Sequence, residues 1–191
     1  MADKQISAKG EFVYPHLNKP DVRFNEAGEY KLTLKVPQKE ALSMVTLLDK
    51  ELDACIAKVE KEKKGKKVKQ APKPYKIEDG FAFFKFKMKA TGVNRKTKES
   101  FSQKPALFDS NKNPFPQSTS IWGGTKGKVA FNVKDYFVPA LGAGVTLQLI
   151  AVQIIDLVEG GGKQGDLFDK EDGYTVQEKD VSSEVQTSTD F

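Results

Sequence analysis

A chain of 191 residues that is 38% hydrophobic and 30% charged can bury one core, and its longest apolar run, 149–152, is far too short to span a membrane. A single cysteine, Cys55, excludes an intramolecular disulfide, and a single histidine, His16, leaves few side chains for zinc binding or base catalysis. The net charge of +5 combines two opposite parts, since residues 1–165 carry roughly +11 and residues 166–191 carry roughly −6.

The first predicted elements are a strand and a long helix. Apolar and polar residues alternate over 29–37, as in a half-buried antiparallel strand. After Pro37 the apolar residues recur every three or four positions, which predicts an amphipathic helix over about 38–62 that packs on a sheet. The lysine-rich residues 63–76, with one glycine and two prolines, predict a basic loop. Its lysines either stay in solvent or reach along a phosphate backbone.

The next strand, 81–90, carries lysine at alternate positions opposite a hydrophobic row. Because successive side chains of a strand point to opposite faces, one face is apolar and the other is cationic with one aromatic ring. The apolar face holds Phe84, Phe86, Met88 and Ala90, and the cationic face holds Phe83, Lys85, Lys87 and Lys89. The residues that follow predict a hairpin turn, which extends the cationic surface with Arg95, Lys96 and Lys98.

The remaining body residues predict two more strands. Residues 104–120 indicate a strand end followed by an exposed loop that holds Phe115. After Trp122 a glycine-marked bend leads into a strand with a basic face, to which Lys126 and Lys128 belong. The closing run, 142–158, is apolar on both sides, as expected of a central strand buried on both faces.

These elements predict the fold class and the division of the chain. About five to six antiparallel strands with one inserted amphipathic α-helix favour an all-β barrel of the OB-fold type, although a β-sandwich fits the pattern nearly as well. We expect a nucleic-acid-binding domain over 1–158, a glycine-rich linker over 159–165 and a flexible acidic C-terminal tail over 166–191 that ends in Phe191.

Catalytic motifs are weak in this sequence. The stretch "GGTKGKV" at 123–129 lacks the first glycine and the final Ser or Thr of a phosphate-binding P-loop, and it leads into a strand instead of a helix. His16 stands beside no serine or cysteine nucleophile pattern. We therefore expect a protein that is not an enzyme, with no catalytic residue, no metal site and no cofactor.

The basic strands indicate binding to a single-stranded nucleic acid. Lysines attract the phosphates of a polyanion, and unpaired bases stack on exposed aromatic rings. A single lysine would more often serve only solubility, but the same pattern recurs in three segments. The predicted DNA-binding residues are Phe83, Lys85, Lys87, Lys89, Arg95, Lys96, Lys98, Trp122, Lys126 and Lys128, with Phe83 and Trp122 stacking on bases. No basic helix suited to a major groove is evident, so duplex recognition is less favoured.

The acidic tail suggests a second task. Its charge resembles that of DNA, so it would compete for the basic cleft and would be released when DNA binds. The terminal Asp190 and Phe191 form a small acidic and apolar hook that suits a pocket on a partner protein.

Taken in order, several segments resemble the single-stranded DNA-binding proteins of podovirus-type bacteriophages. They include "GEYKLTLKVP", "FFKFKMKA", "KTKES", "GGTKGKVAFNV", "GAGVTLQLIAVQIIDL", the "GGG" linker and the terminal "DF". The resemblance runs from about residue 10 through nearly the whole chain. It implies an OB-fold with a helix between barrel strands, a role in phage DNA replication and recombination, strand annealing, and a place in the cytoplasm of the infected bacterial host. It also implies contact of Asp190 and Phe191 with a phage DNA polymerase and helicase, and often a homodimer.

The tail departs from the pattern of that family, and two alternative functions stay open. The tail is shorter and only moderately acidic, so its masking of the cleft is expected to be weak, and residues 166–174 could instead dock on a neighbouring subunit. The alternatives are a basic barrel that serves as a protein-interaction scaffold and an OB module that binds RNA, since RNA binding uses the same stacking and phosphate contacts.

Overall fold

Ten β-strands and one α-helix make up the described part of a computed structural model, which covers residues 4–23, 26–94, 97–116 and 118–158. In chain order the elements are β1 (Gln5–Ile6), β2 (Gly10–Asp21), β3 (Glu29–Pro37), α1 (Gln38–Glu62), β4 (Tyr75–Glu78), β5 (Phe81–Lys89), β6 (Thr91–Val93), β7 (Ser100–Ser102), β8 (Ala106–Phe108), β9 (Lys126–Val138) and β10 (Gly142–Asp156). Within these ranges, no helix is both long and apolar enough to cross a bilayer.

Five of the strands close a barrel. β9, β2, β3, β5 and β10 are paired in that order, and β10 also pairs along its length with β9, so the sheet returns to its starting strand. Closure of this kind confirms the predicted OB-type barrel and excludes two separate sheets packed face to face. The pairing of β10 with β5 is parallel, which corrects the expectation of an entirely antiparallel sheet. It arises because the last strand reaches β5 across the barrel and not through a hairpin.

The barrel interior is filled by one face of each strand. Alternation places Phe84, Phe86 and Met88 inside, as predicted. The rings of Phe86 and Phe131 meet edge to face at 5.2 Å between centroids. A buried phenylalanine contributes about 1.5 to 3 kcal/mol through loss of apolar contact with water, so these rings are principal sources of the stability of the barrel.

Helix α1 occupies the predicted residues and packs on the barrel through its apolar stripe. The buried residues of the stripe are Ala41, Met44, Leu48, Leu52, Cys55 and Val59. Leu52 and Cys55 contact the first residues of β10, including Ala143 and Val145. The Cys55 thiol, only 3% exposed, donates a hydrogen bond to the carbonyl of Gly144 at 3.4 Å. The helix therefore anchors the beginning of β10.

Residues 63–76 do not form a loop that lies wholly in solvent, because part of their backbone is hydrogen-bonded to β5 and β10. Their end, from Tyr75, belongs to β4, which pairs with β5. Upstream, the backbone N–H of Ala71 donates to the carbonyl of Ala143, and the N–H of Ala143 donates to the carbonyl of Lys69. Gly142, at φ +107°, is required there because a Cβ would overlap the carbonyl of Lys69. The lysine side chains from Lys63 to Lys69 nevertheless stay exposed.

Two further expectations were wrong in detail. Phe115 is half-buried and packs against the core, because its N–H donates to the carbonyl of Leu107 at the barrel edge. β10 is not buried on both faces: Val145, Leu147 and Leu149 point inward, while Thr146 and Gln148 between them are only half-buried.

Candidate nucleic-acid interface

The outward side of β3 and β5 carries a run of cations that we call the basic face. It consists of Lys31, Thr33, Lys35, Phe83, Lys85, Lys87 and Lys89. The antiparallel register places Lys31 opposite Lys87 and Thr33 opposite Lys85. Side chains paired directly across two strands project on the same side of the sheet, so the cations of the two strands form one surface.

One transverse row continues this surface across all five barrel strands. Lys87 is paired with Lys31 on one side and with Gln148 on the other, and the row ends at His16 on β2 and Asn132 on β9. The carboxamide oxygen of Asn132 is buried and has no hydrogen-bond partner in the described part of the chain. The row therefore presents two ammonium groups between polar side chains that can donate or accept hydrogen bonds.

Two recesses adjoin the basic face, one on each side of Lys87. The first, which we call the Tyr14 recess, has a volume of about 500 Å³ and is lined by Tyr14, His16, Arg23, Lys31, Lys85 and Lys87, among others. The second, the Phe101 recess, has a volume of about 310 Å³ and is lined by residues that include Lys87, Lys89, Phe101, Gln103, Lys134 and Gln148. Each recess combines an exposed aromatic ring with several cations.

Some of these cations are paired with carboxylates. The Nζ of Lys31 lies 2.6 Å from the Asp21 carboxylate, and the Nε of Arg23 lies 3.6 Å from it. The pKa of Asp21 is lowered to about 2, because Lys31 and the backbone N–H of Arg23 donate hydrogen bonds to the carboxylate. Lys87 is 4.0 Å from Glu29, which is a loose contact.

Other cations of this region make no ion pair with the described residues. Lys85 and Lys89 on β5 and Lys134 on β9 belong to this group. Lys85 and Lys89 are exposed along their strand. An unpaired exposed ammonium is available to a phosphate without first losing a carboxylate partner.

Phe101 is held at its recess by the hairpin of β6 and β7. It pairs with Gly92 across the two strands, and a Cβ at Gly92 would lie only 2.7 Å from the Cζ of the ring. The absence of a side chain at Gly92 thus lets the ring approach the backbone of the neighbouring strand closely. Lys98 lies in the same hairpin and is exposed. Arg95 and Lys96 lie outside the described residues.

The third predicted segment lies away from the two recesses. Trp122 is 53% exposed, but it lines neither the Tyr14 recess nor the Phe101 recess. Lys126 lies opposite Glu11 in the register of β9 with β2, and it lines a depression together with Lys35 and Phe81. Lys128 borders an apolar depression with Ile6 and Phe108 on the other side of the barrel. The structure therefore does not bring these residues together with the lysines of β5.

The structure adds residues that the sequence did not single out. Lys31 and Lys35 were visible in the alternation of 29–37, and their position beside β5 was the missing information. Lys134 follows Lys128 in the same alternating pattern. Tyr14 gave no signal, because residues 10–21 were not predicted to form a strand. The tail residues Asp190 and Phe191 lie outside the described residues.

Comparisons with known proteins agree with this architecture. A family model described as the single-stranded DNA-binding protein of bacteriophage T7 matches residues 10–157. The single-stranded DNA-binding protein of Escherichia phage T7 is 32% identical over 186 residues, which cover 85% of this chain and 80% of that protein. The corresponding protein of Enterobacteria phage T3 is 31% identical over 197 residues, covering 91% and 85%.

Solved structures show the same fold. The crystal structure of gp2.5, a single-stranded DNA-binding protein encoded by bacteriophage T7, superposes with a TM-score of 0.76 at 29% identity, over 93% of this chain and all of that one. The single-stranded DNA-binding protein of bacteriophage Enc34, in a complex with single-stranded DNA, shares the fold at a TM-score of 0.58 and 16% identity, over 82% and 88% of the two chains. With the family model spanning the whole barrel and two relatives above 30% identity, the chain belongs to the single-stranded DNA-binding protein family of bacteriophage T7.

Proposed function

We propose that this protein binds single-stranded DNA without sequence preference on the basic face, in the replication and recombination of phage DNA. The observation that carries the proposal is the paired row of lysines on β3 and β5 between two recesses that each hold an exposed aromatic ring. β3 and β5 are the second and third strands of the barrel, and this face of an OB-fold is the one that commonly binds oligonucleotides. Relatives above 30% identity bear the name of single-stranded DNA-binding proteins.

The chemistry of the basic face suits a single strand of any sequence. Lys85, Lys87 and Lys89 would neutralise successive phosphates and release their condensed counterions. Phe101 would stack on a base, and every base offers a ring face for such a contact. Phe83 is half-buried between Lys35 and Lys76 of the adjacent strands, so it offers a smaller stacking surface. A binding site of this composition acts by holding the strand, which is why we propose a binding protein and not an enzyme.

We propose that the other predicted DNA-binding residues contact the strand outside the two recesses. Arg95, Lys96 and Lys98 would continue the cationic path from β5 along the hairpin. Trp122, Lys126 and Lys128 would contribute only to a strand that wraps around the barrel toward β9, since they lie away from both recesses.

The partners and location of the protein follow from the sequence and the family. We propose that Asp190 and Phe191 contact a phage DNA polymerase and helicase, that the protein forms a homodimer, and that it acts in the cytoplasm of the infected bacterial host. Support comes from the acidic tail composition and from the family to which the chain belongs.

The test is a salt titration of binding to labelled oligo-dT. The double variant Lys85→Ala/Lys87→Ala should bind more weakly. The negative slope of log affinity against log salt should become shallower by up to about 1.4 if two phosphate contacts are lost. The matched control is Lys50→Ala/Lys61→Ala, which removes two exposed lysines from α1. Equal loss in both variants would show that only net charge matters and would contradict a site on the basic face.

Matched RNA and duplex oligomers in the same titration separate the alternatives. Preference for the DNA single strand supports the proposed function. Equal or tighter binding of oligo-U would favour an RNA-binding module, and absence of binding to any nucleic acid would favour a protein-interaction scaffold.

A further inference from the structure

Tyr14 adopts a backbone conformation that its neighbours in sequence make unfavourable. Its φ of 48° lies in the left-handed region, which bulky non-glycine residues rarely enter. The next residue is Pro15, and a residue before proline is restricted further, toward extended conformations. Such strain persists where the surrounding structure enforces it, and it is concentrated at functional sites.

A β-bulge is the cause of this conformation. The pairing of β2 with β3 runs from Val13 opposite Thr33 directly to His16 opposite Lys31, so Tyr14 and Pro15 lie opposite Leu32 alone and β2 contains one extra residue. Without the bulge, Tyr14 would follow Phe12 by two positions and would point into the core with it. The extra residue turns the ring outward, and bulges beside functional sites often redirect a side chain in this way.

The barrel gains little from the ring in its present position. Tyr14 is 83% exposed, and it makes no hydrogen bond or ring contact with the described residues. The strained backbone and the exposed ring are therefore both unfavourable for the isolated fold.

The outward position places the ring among cations. Tyr14 lines the Tyr14 recess together with Lys31, Lys85 and Lys87. It thus lies on the opposite side of Lys87 from Phe101. An exposed ring beside phosphate-binding groups is the arrangement in which a nucleobase can stack while its phosphates contact lysine.

We propose that Tyr14 is a base-stacking residue of the single-stranded DNA site and that the β2 bulge exists to present it. The proposal rests on the proposed function and adds a second aromatic platform, across the basic face from Phe101. The bound strand therefore crosses β3 and β5, with bases at both recesses and phosphates along the lysines between them.

The test uses three full-length variants and fluorescence anisotropy of labelled oligo-dT. Tyr14→Phe keeps the ring and should bind like the wild type. Tyr14→Ala should weaken binding by about 5- to 150-fold, the range that corresponds to the loss of one stacking contact. Tyr14→Gly should weaken binding as much, yet its melting temperature should equal or exceed that of the wild type, because glycine accepts the left-handed conformation.

Tyr14→Gly is expected to weaken DNA binding without lowering the melting temperature. This combination distinguishes a binding role of the ring from a structural one. If the glycine variant is less stable than the wild type, the ring supports the fold and the proposal is wrong. If Tyr14→Ala and Tyr14→Gly bind oligo-dT within twofold of the wild type while Lys85→Ala/Lys87→Ala binds weakly, the site lies on the basic face but Tyr14 does not stack. If Tyr14→Ala halves the mass by sedimentation and leaves the affinity unchanged, the ring belongs to a subunit contact, which also overturns the proposal.

Discussion

At the scale of single residues, Asp21 limits the positive charge of the basic face. Its carboxylate forms an ion pair with Lys31 and accepts a hydrogen bond from the backbone N–H of Arg23 at 2.9 Å. A phosphate that approaches Lys31 must compete with this carboxylate. We therefore expect Asp21 to oppose DNA binding at the proposed site, while its hydrogen bond from Arg23 fixes the chain at the end of β2.

We expect Asp21→Asn to bind single-stranded DNA more tightly than the wild type at low salt, because one negative charge leaves the Tyr14 recess. The variant should also alter the pH dependence of unfolding. The folded pKa of Asp21, about 2, lies below the ordinary value of 3.8, so the carboxylate stabilises the folded protein above about pH 4. That stabilisation is lost as the pH falls toward 2. Urea unfolding at pH 6 and pH 2.5, together with oligo-dT titration, would measure both effects.

Asp135→Asn is a matched control for this prediction. Asp135 pairs with Lys58 of α1 at 2.7 Å, and the hydrogen bond from Lys58 lowers the pKa of Asp135. It lines neither recess. Both substitutions change the net charge equally, so a similar gain in affinity in the two variants would mean that the position of Asp21 is unimportant.

The face of the sheet to which a side chain projects was predictable from the sequence only where apolar and polar residues alternate regularly. Lys85, Lys87 and Lys89 project outward as predicted, since β5 has no irregularity over these positions. Tyr14 was not predictable, because a bulge changes which face a residue occupies and leaves no mark in a hydrophobic pattern. Lys31 was visible as an outward residue, but its pairing with Lys87 required the register.

At the scale of elements, α1 stabilises the barrel without lining either recess of the basic face. Leu52 is 2% exposed in the cluster that joins the helix to β10. Leu52→Ala should lower the free energy of unfolding by about 2 to 5 kcal/mol, the usual cost of an internal cavity at a leucine site. Under conditions where the variant is folded, its affinity for oligo-dT should match the wild type, because α1 contributes no residue to either recess.

Leu42→Ala, in the first turns of the same helix, provides the comparison. Leu42 is 57% exposed, so its loss should change the unfolding free energy by less than about 0.5 kcal/mol. Denaturant titration followed by circular dichroism measures both variants. Equal destabilisation would show that the loss reflects helix propensity and not burial at Leu52.

The elements differ in how well the sequence predicted them. β3 and α1 were predicted with the bounds that the structure shows, because each has a regular period over at least nine residues. β2 was missed, since Pro15, Pro20 and the bulge interrupt its alternation. β4 was missed as well: its pairing with β5 is decided by tertiary contact, and residues 75–78 have little apolar pattern of their own.

At the scale of the whole molecule, the charge of residues 166–191 opposes that of the barrel. Replacing the eight acidic residues of this segment by their amides should raise both the association rate and the affinity for oligo-dT at low salt. The difference should shrink as salt increases, because screening shortens the range of charge interactions to about 3 Å at 1 M. Stopped-flow association at several salt concentrations measures the effect.

A full-length variant with the same tail composition in shuffled order serves as the control. If charge alone is responsible, the shuffled tail should behave like the wild type. A neutral tail that leaves the association rate unchanged at every salt concentration would contradict any electrostatic competition with DNA.

The fold of the whole molecule was predictable from strand number, the inserted helix and family resemblance, whereas the arrangement of the basic segments around the barrel was not. Three basic segments were predicted to form one surface. Trp122 lines neither recess and Lys128 borders an apolar depression elsewhere, whereas the register brings Lys31 and Gln148 to Lys87. Such lateral neighbours depend on strand order, which periodicity along the chain does not contain.

The pairings of β10 with β5 and with β9 make the closed barrel depend on the strand that is synthesised after the other four. The transverse row of polar residues is built from all five barrel strands, and Gln148 lies on β10, the last of these five in chain order. A nascent chain that ends before β10 has its lysines but no closed sheet to arrange them, and pairings between distant strands form slowly. We therefore expect a nascent chain to bind single-stranded DNA in an ordered way only after residues 142–156 have been synthesised.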